Sequence, residues 1–202
     1  SYKALTQYDW YNLLVVTNDI QKVFARQVEE PNEEEKLKKQ IPILEEITEN
    51  TSSEVRAQYE ESPYPRWVNL GLALRPKSIF NVVDEVELKI YDNKINEVEK
   101  PDILIAGCGT GQHSIGTSAR FKDSNVLAID LSLSSLAYAK RKTDELGIKN
   151  IKYMQADILD LGKLNKQFDI IESAGVLHHM DDPLSGWRTL TDCLKKGGLM
   201  RI

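Results

Sequence analysis

The 202 residues are enough for one good-sized domain plus an extension, and 41% hydrophobic with 28% charged is an ordinary globular balance. A formal net charge of −5 and no long Lys/Arg run argue against bulk nucleic-acid binding. The longest apolar runs, such as Leu13–Val16 and Ile103–Ala106, fall far short of the roughly 20 residues that span a bilayer. Ser1–Trp10 has no basic stretch followed by an apolar core, so no secretory signal is expected there. Two isolated cysteines, Cys108 and Cys193, fit neither a zinc pattern nor a disulfide scaffold, and a reducing, cytoplasmic setting is expected.

The pattern changes near residue 100. Before it, Leu13, Val16, Ile20, Val23, Phe24 and Val28 recur at helical steps, so an amphipathic helix, broken or not, is expected from 3 to about 30. Pro31 should interrupt it, with the charged stretch Glu29–Gln40 as a solvated helix face or a linker. Thr51-Ser52-Ser53-Glu54 fits a capping box for a helix over about 52–61. The two prolines of Ser62-Pro63-Tyr64-Pro65-Arg66-Trp67 then force an extended path. Here Tyr59, Tyr64, Arg66 and Trp67 could cover a ligand or plug a core, and an Arg66 facing the groove could hold a carboxylate. Ile79, Val82, Val83 and Val86 suit a helix, and Glu87–Tyr91 alternates like a strand.

From Asp102 strands and helices alternate. Strands are expected at Ile103–Ala106, Asn125–Asp130, Ile151–Gln155, Phe168–Ser173 and from Leu199. The helices between them are expected at about 112–121, 133–146 (capped by Ser132) and after Asp182-Pro183, with a short turn over Ile158–Leu164. The last helix should bury Leu184, Trp187, Leu190 and Leu194 and stop at Gly197-Gly198. Lys140-Arg141-Lys142 and Lys195-Lys196 read as solvated faces late in helices. The alternation predicts an α/β fold, a Rossmann-like doubly wound parallel sheet, with a mainly helical N-terminal extension over 1–100 and the sheet domain over 101–202. Ligands of such sheets sit beyond the carboxyl ends of the strands.

The loop after the first strand reads Gly107-Cys108-Gly109-Thr110-Gly111-Gln112-His113. Alternate glycines turn the backbone sharply and let a ligand approach it. The spacing is neither the dinucleotide G-x-G-x-x-G nor a triphosphate loop. Asp130 ends the second strand, where a carboxylate can accept from ribose hydroxyls. Asp157 follows the third strand, with Ile158 beside it, and could accept from an adenine amino group.

With these residues in view, 101–202 resembles the N-terminal part of the class I S-adenosylmethionine-dependent methyltransferase family. The resemblance implies that S-adenosylmethionine is the cofactor. It implies that Gly107, Cys108, Gly109, Thr110 and Gly111 wrap the methionine end, that Asp130 with Leu131 holds the ribose, and that Asp157 with Ile158 meets the adenine; Ser173 joins this set at the end of the fourth strand. The stretch Val176-Leu177-His178-His179 is similar to family members acting on small molecules, and no Asn/Asp-Pro-Pro-Tyr motif of nucleic-acid methylating relatives stands there. A small-molecule acceptor is therefore favoured over a protein. Gln58–Trp67 resembles, more loosely, bacterial methyltransferase domains that often follow tetratricopeptide repeats. The family sheet has seven strands and this chain ends as its fifth begins, so the sheet is expected to be incomplete at its C-terminal side. The reading favours a fragment of a longer protein, with pairing of the open edge to a second copy as the alternative.

His178 is the candidate general base, with His179 and His113 behind it. No metal site is expected at His178, His179, Asp181 and Asp182, because adjacent side chains rarely converge. Two other readings stay open: a non-catalytic, cofactor-binding or assembly domain, and a dinucleotide-dependent oxidoreductase.

Overall fold

A computed structural model describes residues 3–47, 50–61, 63–73 and 75–202, with the backbone alone for 50 and 51. Ser1 and Tyr2 of the segment in which no secretory signal is expected, the Thr51 side chain of the expected capping box and Ser62 of the Gln58–Trp67 resemblance lie outside the described residues.

Besides 3-10 turns, among them Asn93–Glu97, the helical elements of the first hundred residues are α1 (Gln21–Phe24), a π-helical turn (Ala25–Glu29), α2 (Glu30–Lys38), α3 (Asn50–Glu61) and α4 (Ile79–Glu85). The helix expected from residue 3 is replaced up to Gln21 by two short 3-10 turns, Leu5–Gln7 and Tyr11–Leu13. The run Val15-Val16-Thr17-Asn18-Asp19 consists of poor helix formers, and Leu13, Val16, Ile20 and Val23 stay exposed. Pro31 does not end the helix. A proline ring collides with the carbonyl four residues back in a regular α-helix, and the widened π turn immediately before α2 spans that position. The strand expected at Glu87–Tyr91 does not form; Glu87 follows α4 with a left-handed φ of 53°, and residues 88–91 find no ladder partner among the described residues.

The second half alternates as expected: β1 (Asp102–Ala106), α5 (Gln112–Arg120), β2 (Asn125–Asp130), α6 (Leu133–Glu145), β3 (Ile151–Gln155), a 3-10 stretch (Ile158–Leu164), β4 (Phe168–Glu172), α7 (Pro183–Asp192) and β5 (Leu194–Arg201). All pairings are parallel, in the order β3-β2-β1-β4-β5. Successive residues of a strand face opposite sides. Ile103 and Ile105 accordingly pack with α4 and α6, whereas Leu104 and Ala106 pack with Leu161, Leu177 and Leu190 on the other face.

The C-terminal elements differ from expectation. α7 stops at Asp192, and Leu194 to Arg201 is drawn into pairing with β4. Phe168 faces Leu194 and Ile170 faces Leu199, so Gly197-Gly198 lies in a bulge rather than ending a helix. A Cβ on Gly198 would stand 2.8 Å from the Asp169 carbonyl oxygen, so strand pairing itself demands a glycine there. Of the predicted α7 stripe, Leu190 is buried and Leu184 and Trp187 are exposed. Lys195 stands in the strand and pairs with Asp169 at 2.9 Å.

The first hundred residues pack directly on this sheet. The Gln155 amide donates to Pro42 O and the Leu44 amide to Gln155 O, both at 2.9 Å, which covers the edge of β3. Arg141 of α6 is 2% exposed, contrary to its expected place on a solvated face. Its guanidinium reaches Glu30 and Glu34 of α2, each at 3.0 Å, and also pairs with Glu145. No helix among the described residues is long and apolar enough to cross a membrane.

Candidate functional site

The carboxyl ends of the strands open into a cavity of about 700 Å³. Its floor is the glycine loop. The amides of Gly107 and Cys108 both donate to Ile129 O at 2.9 Å, and that of Gly111 to Cys108 O at 3.0 Å. The three glycines do different work. A Cβ on Gly107 would stand 2.3 Å from Val176 Cγ2, and one on Gly111 2.5 Å from Ala139 Cβ of α6. Those two let the protein pack on itself. A Cβ on Gly109 would meet nothing closer than Tyr64 O at 3.8 Å, so this glycine leaves a cradle open in the cavity wall.

Asp130 closes β2 and holds the loop. Its Oδ2 accepts from the Gly109 amide at 2.7 Å and its Oδ1 from the Ser132 amide at 3.0 Å. Burial pushes its carboxyl above the usual range, Glu60 adds to this, and the amides of Ser132, Gly109 and Leu131 offset only part. Asp157 caps the 3-10 stretch after β3 by accepting from the Leu159 amide at 2.9 Å through Oδ1. Both acids line the cavity, with Leu131 and the 6% exposed Ile158 between them. Ser135 Oγ, on the same wall, is buried with no hydrogen-bond partner among the described residues. An open cradle, two acids and an orphaned hydroxyl fit a polar ligand with hydroxyl and amino groups.

The extension roofs the cavity with Ser52, Val55 and Tyr59 of α3 and with Tyr64 and Pro65. Two hydrogen bonds strap this cover to the loop: Thr110 Oγ1 donates to Pro65 O at 2.6 Å, and Trp67 Nε1 donates to Thr110 O at 3.0 Å. Trp67 is a core plug, packed with Ile115 and Tyr138. Arg66 does not face the groove. It pairs with the buried Glu34 at 2.9 Å and lies over the Tyr138 ring.

Residues 103–198 match the family model described as a methyltransferase domain. Over this stretch the chain is similar to that methyltransferase-domain family. Among curated relatives, an uncharacterised protein from Synechococcus sp. is 35% identical over 107 residues, covering 52% of this chain and 26% of its own. A ubiquinone biosynthesis O-methyltransferase from Marinobacter nauticus is 31% identical over 123 residues, covering 59% of this chain and 50% of its own. The chain thus spans about a quarter to a half of the length of the curated relatives it matches. The fold is shared with magnesium protoporphyrin IX methyltransferase from Synechocystis PCC 6803, solved with bound S-adenosylmethionine (TM-score 0.52, 20% identity, 75% of each chain). It is shared equally with the cyclase SpnF (TM-score 0.52, 21% identity, 79% of this chain and 60% of that one).

The cavity brings together Gly107, Cys108, Gly109, Thr110, Asp130, Leu131, Asp157 and Ile158. Gly111 stands behind the loop against α6, and Ser173 is buried off the wall, its Oγ unpartnered among the described residues. The wall takes His179 rather than His178, although the two rings lie only 4.1 Å apart. No group of three His, Cys, Asp or Glu among the described residues is placed to hold a metal. The sequence reading passed over Ser135, Arg201 and Glu172. Glu172 had a signal: it is a charged side chain closing a strand whose middle, Ile170-Ile171, is apolar, and it proves 4% exposed.

Proposed function

We propose that this chain binds S-adenosylmethionine in the cavity at the carboxyl ends of its strands and transfers the methyl group to an acceptor, a small molecule being favoured. In this reading residues 101–202 form the cofactor-binding unit and residues 1–100 its cap. The observation that carries it is the join between Asp130 and Gly109, which sets an acid and an open glycine cradle side by side on one wall. Asp130 would hold the ribose hydroxyls, Asp157 with Ile158 the adenine, and Gly107 to Thr110 the amino-acid end.

The cofactor supplies an electrophilic methyl group, so no side chain has to act as a nucleophile. The chain's own work is alignment and exclusion of water, and alignment alone is worth about 7–11 kcal/mol in favourable cases. Tyr59, Tyr64 and Pro65 roof the cavity for that purpose. His179, on the wall beside Met180, Asp181 and Asp182, stands nearer than His178 to any proton an acceptor must lose. Two free buried cysteines support a reducing, cytoplasmic setting. The same fold in a cyclase supports one second reading: cofactor binding without methyl transfer.

The test is calorimetric titration with S-adenosylmethionine and S-adenosylhomocysteine, beside a folded Asp130→Ala variant. Saturable binding that weakens in the variant is expected. A folded wild-type chain that takes up neither compound would sink the proposal. Binding without turnover against a broad panel of acceptors, in a longer chain, would favour the second reading.

A further inference from the structure

His113 lines the cavity and is hydrogen-bonded to the buried Glu172, a pair that the proposed function does not use. His113 is the second residue of α5, and its Nε2 lies 2.7 Å from Glu172 Oε2 at the end of β4. The same oxygen accepts from Thr117 Oγ1 at 2.6 Å, and Arg120 stands 3.8 Å from Oε1. Burial alone would raise the Glu172 carboxyl; the His113 and Thr117 hydrogen bonds and the His113 and Arg120 charges outweigh it and hold it below the usual range. An ionised carboxylate only accepts, so Nε2 carries the proton and donates to it. Nδ1 is then the ring's remaining polar atom. It has no protein partner among the described residues, and the ring lines the cavity. In its protonated form the ring offers a second N–H at Nδ1, pointed away from Glu172.

The place of the pair along the sheet edge says what it can reach. Asp157 follows β3, Asp130 ends β2, the glycine loop follows β1, and Glu172 ends β4. Two strand spacings, about 10 Å, separate β2 from β4. With the ribose at Asp130, the arm of the cofactor that extends across β1 towards β4 is its amino acid. We propose that His113, positioned by Glu172, binds the carboxylate of that amino-acid arm through Nδ1. The proposal rests on the cofactor reading above. In it His113 is a binding residue and Glu172 a positioning residue.

Three probes separate the two: S-adenosylmethionine, decarboxylated S-adenosylmethionine (which keeps the amine), and 5′-methylthioadenosine (which lacks the whole amino-acid arm). Each is titrated calorimetrically into wild type, His113→Ala, His113→Asn and Glu172→Gln. Wild type should bind all three. His113→Ala should weaken S-adenosylmethionine about tenfold or more and leave the other two within about twofold. His113→Asn, which can place a donor near the Nδ1 position, should recover part of the loss and also serves if the alanine variant does not fold. Glu172→Gln should move only S-adenosylmethionine, by about three- to tenfold. An unchanged affinity in His113→Ala overturns the proposal, as does equal weakening of all three probes. Equal weakening of the two probes that carry the amine also overturns it, by moving the contact from the carboxylate to the ammonium. A wild-type chain that binds none of the three fails the cofactor reading itself, before any variant is compared.

Discussion

The Gly109 amide donates to Asp130 Oδ2 at 2.7 Å, so the loop after β1 and the acid that ends β2 form one rigid piece. The other oxygen is engaged too, by the Ser132 amide at the start of α6. Asp130→Asn keeps one acceptor and turns an NH2 towards a backbone N–H. The loss should therefore exceed that of a ligand contact alone. Affinity for S-adenosylhomocysteine should fall about 10- to 100-fold and stability by about 1–2 kcal/mol. Titration together with hydrogen exchange at the Gly109 amide checks this. Weakened binding with unchanged Gly109 protection would mean that Asp130 does not hold the loop.

The glycines of that loop should separate folding from binding. Gly111 has φ 86° and a prospective Cβ 2.5 Å from Ala139 Cβ, so Gly111→Ala combines left-handed strain with a clash inside the protein. It should cost about 3 kcal/mol or more in denaturant unfolding. Gly109→Ala meets no protein atom closer than 3.8 Å and should cost only about 1–2 kcal/mol, for its φ of 52°. Its added methyl projects into the cradle, so ligand affinity should drop more than stability does. The opposite ranking would show that the cradle is not at Gly109.

Much of this was legible in the sequence, for local reasons. β1 and β2 are built on short apolar runs between turn residues, and β3 alternates Ile151, Tyr153 and Gln155 with Lys152 and Met154. Asp130 and Asp157 stood out because each is an acid at, or just past, the carboxyl end of an expected strand. What stayed hidden depends on partners distant in sequence. Arg141, flanked by lysines, gave no hint of burial, since its partners Glu30 and Glu34 are 111 and 107 residues away. The α7 boundary failed similarly: Cys193 to Arg201 has no strong helical or extended preference, and pairing with β4 decides it. The stripe from Leu13 to Val23 had helical spacing, but no packed surface receives most of it.

Arg141 gives the next test of the cap. Its guanidinium is shared among Glu30, Glu34 and Glu145, and it lies 5.1 Å from the Tyr138 ring centroid. Arg141→Met leaves Glu34 buried, although Arg66 still faces it at 2.9 Å. The expected cost is about 3 kcal/mol, the lower end for breaking a buried pair. Glu145→Ala removes a far more exposed partner and should cost under about 1 kcal/mol. Denaturant unfolding of both variants decides. Equal losses would mean that the buried pair to α2 adds nothing beyond the surface one.

Glu60 should make the attachment of the cap sensitive to acid. Its carboxylate accepts from the Ser134 amide at 3.0 Å, from Ser134 Oγ at 2.8 Å and from Ser132 Oγ at 3.0 Å, and lies 3.3 Å from Lys38 Nζ. Burial alone would raise its carboxyl; the hydrogen bonds from Ser134 and Ser132, and the Lys38 charge, bring it below the ordinary value near 4.5. A folded-state value below the unfolded one stabilises the protein at pH above the unfolded value. That stability is lost as pH falls from near 4.5 through the lower folded value. Melting temperatures from about pH 7 down to about pH 3 should therefore decline less steeply at the acid end in Glu60→Gln than in wild type. Gln keeps an acceptor for Ser134 but not the charge, so the variant should start lower at neutral pH and converge with wild type in acid. Parallel curves across the range would mean that Glu60 titrates alike in the folded and unfolded chain, and that its contacts with α6 do not hold α3 in place.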